Sequence, residues 1–352
     1  MSKKVFVGLS GGVDSSVSVA LLKEQGFDVT GVYMKNWSQS IGSFECPWQQ
    51  DYQDAKRVAV QLGISFEMVD FEADYFEKVV EYMLDAFKAG ITPNPDVMCN
   101  QEIKFKLFFD YALDHGADMI ATGHYARANP ENGAKLLRAK DENKDQTYFL
   151  YRISQKALQK TLFPVGNFTK PEVRELAKKY GLATATKKES MGICFVGKVG
   201  IREFLKQYVQ TEPGSIIDQN GKTIGEHEGA IFYTIGQRHG LNVGGGLPFY
   251  VTGKDMAKNE VYVTSDIADV KLWSKNINVS SLHCIDPNTD MTTTDDLFVR
   301  IRHRALLAPI EAVQKTPGGL LLTLKQPLLA LTPGQSAVIY TQTECLGGGI
   351  IC

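Results

Sequence analysis

Apolar positions in the first two hundred residues alternate between strand-like and helix-like periods. Val5-Phe6-Val7-Gly8-Leu9 is an unbroken apolar run of strand length, residues 15–25 carry apolar side chains at helical spacing up to Gly26, and residues 27–34 form a second run rich in β-branched and aromatic side chains. Residues 49–62, stopped by Gly63, predict another helix; 64–69 a third strand; 74–88 and 100–115 two more helices; and 118–122 a fourth strand. Unbroken apolar strands separated by helices predict an α/β fold with an open, doubly wound parallel sheet covered on both faces. Thr169-Lys170-Pro171-Glu172 has the form of a capping box with Pro in the first turn, opening a helix that Gly181 ends.

The pattern changes after about residue 205. Pro213-Gly214, Asn220-Gly221, Gly244-Gly245-Gly246, Pro317-Gly318-Gly319 and Pro333-Gly334 cut the chain into short runs of the kind that build small β-rich domains. Three units follow: an α/β domain over 1–205, a small β-rich central domain over 206–274 and a carboxyl-terminal β-barrel over 275–352. Within the last, Phe298-Val299-Arg300-Ile301-Arg302-His303-Arg304 alternates strictly, which predicts a strand with Arg300, Arg302 and Arg304 on one face and Val299 and Ile301 facing inward.

Charge and cysteine usage narrow the classes. With 38 Lys plus Arg against 40 Asp plus Glu in 352 residues, the net charge is −2, so any nucleic-acid surface must be a local patch. No apolar run is long enough to span a bilayer, and the first residues do not read as a secretion signal. The cysteines at 46, 99, 194, 284, 345 and 352 are scattered, without a Cys-x-x-Cys pair or zinc-ligand spacing. A cytoplasmic chain with free thiols, no membrane contact and no structural zinc is the expectation.

The strongest local motif is Ser10-Gly11-Gly12-Val13-Asp14-Ser15-Ser16, placed between the first strand and the first helix. Paired glycines permit close backbone approach to a ligand, Ser10 and Ser15 offer hydroxyls, and a helix beginning here presents free N–H groups and its positive dipole end to an anion. No Gly-Lys-Ser/Thr closes the loop, so it is not a Walker A motif. It resembles the loop of the PP-loop ATP pyrophosphatases, which transfer AMP to a substrate oxygen and release pyrophosphate. That resemblance implies ATP contacts by Gly8, Leu9, Ser10, Gly11, Gly12, Val13, Asp14 and Ser15, a further one by Gly123 in Ala121-Thr122-Gly123-His124-Tyr125, and an adenine contact by Met34.

That superfamily contains ligases, amidotransferases and sulfur transferases, so two thiols carry the discrimination. Cys99 ends the Pro-rich segment Thr92-Pro93-Asn94-Pro95-Asp96-Val97-Met98-Cys99-Asn100, with Asn100 the expected N-cap of a helix whose positive end favours a thiolate and whose first turns hold Lys104 and Lys106. Cys194 lies in the glycine-bracketed Ser190-Met191-Gly192-Ile193-Cys194-Phe195. Taken alone, either cysteine is more readily a buried apolar residue. With Lys144-Asp145-Gln146-Thr147-Tyr148-Phe149-Leu150, Tyr233-Thr234-Ile235-Gly236-Gln237-Arg238-His239-Gly240-Leu241 and the tail Leu346-Gly347-Gly348-Gly349-Ile350-Ile351, these segments resemble the bacterial tRNA-specific 2-thiouridylases nearly end to end.

The resemblance implies a reaction and its partners. The C2 oxygen of a wobble uridine attacks the α-phosphate of ATP, with Mg²⁺ expected on the phosphates and its ligands unassigned. A persulfide carried on Cys194 then delivers sulfur, and Cys99 resolves it through a Cys99–Cys194 disulfide. Asn94, Pro95 and Asp96 meet the target base, Asp96 as acid, base or orienting group; Lys144, Asp145, Gln146, Arg302 and His303 contact tRNA, with His303 standing where the family commonly has Tyr. The implied partners are lysine, glutamate and glutamine tRNAs and a cysteine desulfurase or sulfur-carrier protein. The first-domain motifs taken alone also suit an AMP-forming ligase for a small metabolite, or a tRNA sulfurtransferase with another target base.

Overall fold

The structure is a computed structural model, and it describes residues 2–42, 45–129, 134–188, 200–241, 243–244 and 248–352. Five parallel strands form the first sheet in the order Ser65–Asp70, Asp28–Lys35, Lys4–Gly8, Met119–Ala121, Thr161–Leu162. The chain moves outward from Lys4–Gly8 in one direction for two strands and then returns to its other side. The crevice between the carboxyl ends of Lys4–Gly8 and Met119–Ala121 is therefore the switch point at which such sheets bind ligands.

Both faces are covered, as the unbroken apolar strands require. Val5, Val7 and Leu9 pack against Val19 and Leu22 of the helix Val13–Glu24 and Ala55, Val58 and Ala59 of the helix Trp48–Leu62. Phe6, Val32 and Ile120 face the opposite way, onto helical segments at 72–88 and 95–114. Gly63 takes the left-handed conformation that ends its helix (φ 60°), and the capping box at Thr169–Glu172 is formed, opening the helix Lys170–Lys179.

Gly214–Ile217, Thr223–His227, Tyr250–Asp255 and Glu260–Thr264 make a separate four-stranded sheet over a core that includes Ile216, Val251, Val261 and Val263. Beyond it, Trp273–Cys284, Gly319–Leu329, Ala308–Thr316, Phe298–Arg300, Ser336–Tyr340 and Glu344–Ile351 form an antiparallel barrel, closed by pairing of the first of these strands with the last. The glycine-rich tail is what permits closure. A Cβ at Gly347 would lie 2.0 Å from the His283 carbonyl oxygen, and one at Gly349 would lie 2.3 Å from that of Ser280.

Two features depart from the sequence reading. The hairpin Arg127–Asn129 and Lys135–Leu137, which belongs to the first domain, pairs with Glu344–Ile351 and extends the barrel sheet. The basic strand stripe is not formed: the strand ends at Arg300, the chain turns through residues 302–304, and Arg304 has φ 65°. Arg300 is 3 % exposed, because it is ion-paired inside the molecule, so only Arg302 and Arg304 are exposed. No helix among the described residues is long and apolar enough to cross a membrane.

Candidate active site

The loop after Lys4–Gly8 sits at the sheet's switch point. Leu9 is fully buried and its N–H donates to the Val32 carbonyl, which brings the chain out of the sheet at Ser10. Gly11 has φ 73°, and a Cβ there would stand 2.2 Å from the Asp51 carbonyl oxygen, so backbone conformation and space both demand glycine. Gly12 starts the helix Val13–Glu24 without a side-chain cap, leaving the first-turn N–H groups to the loop. The Ser10 and Ser15 hydroxyls lie 3.2 Å apart, and Ser16 donates to the Gly12 carbonyl.

Gly123 backs this loop. A Cβ on it would come within 2.6 Å of the Ser15 amide nitrogen, so the strand Met119–Ala121 and the loop approach backbone to backbone. Met34 is half-buried, with its Cε 2.8 Å from where a Gly8 Cβ would be, which places the thioether across the floor of the crevice. Asp14 accepts hydrogen bonds from Lys170 Nζ at 2.6 and 2.8 Å and from the Tyr125 hydroxyl at 2.9 Å. Sequence reasoning missed Lys170. The signal was its position: a lysine in the first turn of a strongly capped helix opposes the helix dipole and so needs a compensating partner.

The helix bearing Cys99 begins earlier than expected. Asn94 is the N-cap, its Oδ1 accepting from the Val97 N–H, and Pro95 occupies the first position, where no N–H is needed. Asn100 is instead one turn inside, buried, with its side-chain amide donating to the Phe149 carbonyl. Cys99 is 3 % exposed. Asp96 is half-buried; burial pushes its carboxyl up, and the Lys104 ammonium pulls it partly back.

Lys104 links this helix to the nucleotide loop. Its Nζ lies 3.4 Å from His124 Nε2, and His124 Nδ1 lies 2.8 Å from Thr122 Oγ1. Burial holds His124 well below the usual histidine range, so the ring is neutral, accepts from Lys104 and donates from Nδ1 to Thr122. Lys104 thus acts electrostatically on Asp96 and reaches His124, which neighbours Gly123 and the loop that Gly123 backs. His124 belongs to the segment Ala121–Tyr125, whose sequence alone points to Gly123 and not to the imidazole.

The segments 144–146 and 302–303 lie on facing parts of the first domain and the barrel. Asp145 has no exposed side-chain surface and pairs with Arg300 at 2.7 Å while accepting from the Thr147 hydroxyl at 2.9 Å. The carboxylate is thus engaged inside the protein, which leaves the backbone of this segment to face a partner. Gln146 Oε1 accepts from the Tyr125 N–H, tying this segment to the residue that touches Asp14. His303 packs on Phe149 with ring centroids 4.7 Å apart, and burial, reinforced by Arg304 and Arg300, pushes its pKa down to about 4. Arg302 is exposed and donates to the Ala330 carbonyl at 2.6 Å. Cys194 lies outside the described residues.

Fold and site define the class as an α/β nucleotide-binding protein of the PP-loop kind carrying two β-rich domains. Family profiles match in the same order: "tRNA methyl transferase HUP domain" over residues 3–198, "tRNA methyl transferase PRC-barrel domain" over 202–265 and "Aminomethyltransferase beta-barrel domain" over 274–351. The chain is 46% identical to the tRNA-specific 2-thiouridylase MnmA of Enterococcus faecalis, covering 99% of this chain and 95% of that one, and 45% identical to that of Bacillus subtilis, covering 99% and 94%. A solved 4-thiouridine synthetase–RNA complex with bound ATP is similar at 17% identity and a TM-score of 0.37, over 59% of this chain and 50% of that one, too distant to bear on function. The chain belongs to the tRNA-specific 2-thiouridylase family.

Proposed function

We propose that the protein replaces the C2 oxygen of the wobble uridine in tRNA with sulfur, consuming ATP. The observation that carries this reading is kinship at about 46% identity along essentially the whole of both chains. The crevice geometry is consistent with it. Uridine O2 is a poor leaving group, so the oxygen attacks the α-phosphate of ATP held on residues 8–15, pyrophosphate departs, and the oxygen becomes part of an AMP leaving group. Mg²⁺ is expected to arrive on the ATP phosphates, a mode that needs few protein ligands; no cluster of three metal-binding side chains is present among the described residues.

Sulfur arrives as a Cys194 persulfide. Its terminal sulfur attacks C2, AMP leaves with the original oxygen, and the Cys99 thiolate then attacks Cys194 Sγ. The S–S bond to the nucleoside breaks, its electron pair stays on the nucleoside sulfur, and a Cys99–Cys194 disulfide remains for an external thiol reductant. Asn94, Pro95 and Asp96 are assigned to the target base, with Asp96 as the group that holds or moves a proton. Lys144, Asp145, Gln146, Arg302 and His303 are assigned to tRNA, Asp145 through the segment it anchors rather than through its carboxylate. Lysine, glutamate and glutamine tRNAs, a desulfurase-type sulfur donor and a cytoplasmic setting complete the proposal.

The test is pyrophosphate release from ATP with unmodified lysine tRNA, for the wild type and Asp14→Ala. The expected result is release that requires tRNA and is lost in the variant. Release that ignores tRNA, or that survives Asp14→Ala, overturns the reading.

A further inference from the structure

Resting on the tRNA reading above, we infer that the central-domain turn at residues 234–240 is an RNA phosphate-binding element, with Arg238 as its contact, continuous with Arg302 of the barrel. The sequence singles out this turn, and none of the chemistry described so far uses it.

The turn is fixed from three sides. The Gly236 N–H donates to the Val251 carbonyl, Gln237 Oε1 accepts from the Thr234 N–H, and Gln237 Nε2 donates to the His239 carbonyl. The Thr234 and Thr92 hydroxyls lie 3.1 Å apart, which ties the turn to the first domain, and the Thr332 hydroxyl donates to the Ile235 carbonyl, which ties it to the barrel. Gly236 has φ 82°, and a Cβ there would fall 2.3 Å from Ala330 Cβ and 3.6 Å from Arg302 Nη2. Gly236 therefore lies directly against the backbone segment that anchors the Arg302 guanidinium. Ala330 and Arg304 are themselves held at φ 55° and 65°, a clustering of strained non-glycine backbone of the kind found at functional sites.

Charge gives this rigid junction its specificity. Arg238, His239, Arg302 and Arg304 are all exposed, and neither Arg238 nor Arg302 has a carboxylate partner among the described residues. The two stretches that meet here, residues 229–254 and 297–310, contain no Asp or Glu, in a chain whose net charge is −2. An acid-free, preorganised, cationic junction between two domains is complementary to a polyanionic backbone, and such contacts fix register rather than read bases.

The experiment measures binding of unmodified lysine tRNA to the full chain between about 50 and 300 mM salt for wild type, Arg238→Ala and Arg238→Lys, together with steady-state thiolation. Removing one phosphate contact makes the slope of log affinity against log salt shallower by about 0.7–0.9 and weakens binding roughly three- to tenfold near 0.1 M salt. The expected result is that loss for Arg238→Ala, appearing in KM for tRNA, with slope and affinity restored in Arg238→Lys. An unchanged slope in Arg238→Ala overturns the inference, whether or not affinity falls, as does a loss that lysine fails to restore. Failure of wild type to bind and thiolate tRNA at all overturns the tRNA reading itself, a separate outcome.

Discussion

Lys170 spends a buried cation on Asp14, and the geometry makes that aspartate's conformation depend on it: two short bonds from one ammonium and one from the Tyr125 hydroxyl. Charge-assisted bonds of this kind contribute roughly 1.5–3 kcal/mol, so Lys170→Met should lower tRNA-dependent pyrophosphate release roughly 10- to 100-fold while ATP binding to the loop backbone persists. Single-turnover release and ATP affinity, measured together, check it. His303 gives a pH prediction. Its folded pKa of about 4 lies below the ordinary 6.5, so between these values the unfolded chain takes up a proton that the folded one does not. Stability is therefore lost as pH falls through that window, and His303→Tyr should flatten that part of a Tm-against-pH curve.

Short elements around the crevice carry their own signals, and they were unequally legible. Strands Lys4–Gly8 and Asp28–Lys35 and the helix Val13–Glu24 between them follow directly from apolar periodicity, and the capping box at Thr169 is plain in the sequence. The start of the Cys99 helix was misplaced because Asn94-Pro95 and Asn100 are both competent starts; the proline-first geometry decides, and that depends on where the chain enters. Asn94→Ala should cost about 1 kcal/mol by denaturant titration. Gly123→Ala is a harsher change, since its methyl meets backbone rather than a movable side chain. ATP binding should fall at least tenfold with little change in the far-UV spectrum, an order set by about 1.4 kcal/mol of lost loop contact.

At the scale of the whole molecule, the first domain and the barrel are joined by features that local pattern does not carry. Alternation around Arg300 suggested a solvated face, yet Arg300 turns inward because Asp145, 155 residues earlier, needs a cation. The hairpin of Arg127–Asn129 and Lys135–Leu137 extends a sheet whose barrel strands lie at the far end of the chain. Removing either member of the Asp145–Arg300 pair leaves a buried charge unpaired, which costs about 3–5 kcal/mol. Asp145→Ala should therefore unfold cooperatively at lower temperature, and Asp145→Leu with Arg300→Met should recover much of the loss in a calorimetric comparison. Both tRNA-assigned segments hang on this pair, so its loss should also weaken tRNA binding more than ATP binding.

The central claim is that this chain makes 2-thiouridine through a thiol on Cys194. Nucleoside mass spectrometry on unmodified lysine tRNA, incubated with ATP, Mg²⁺, cysteine, a cysteine desulfurase and a reductant, tests it most directly, with wild type beside Cys194→Ser. The account predicts new 2-thiouridine from wild type only, with the variant still binding tRNA and ATP. Thiolation by Cys194→Ser, or no 2-thiouridine from a wild type that turns over ATP with a small metabolite, would contradict it.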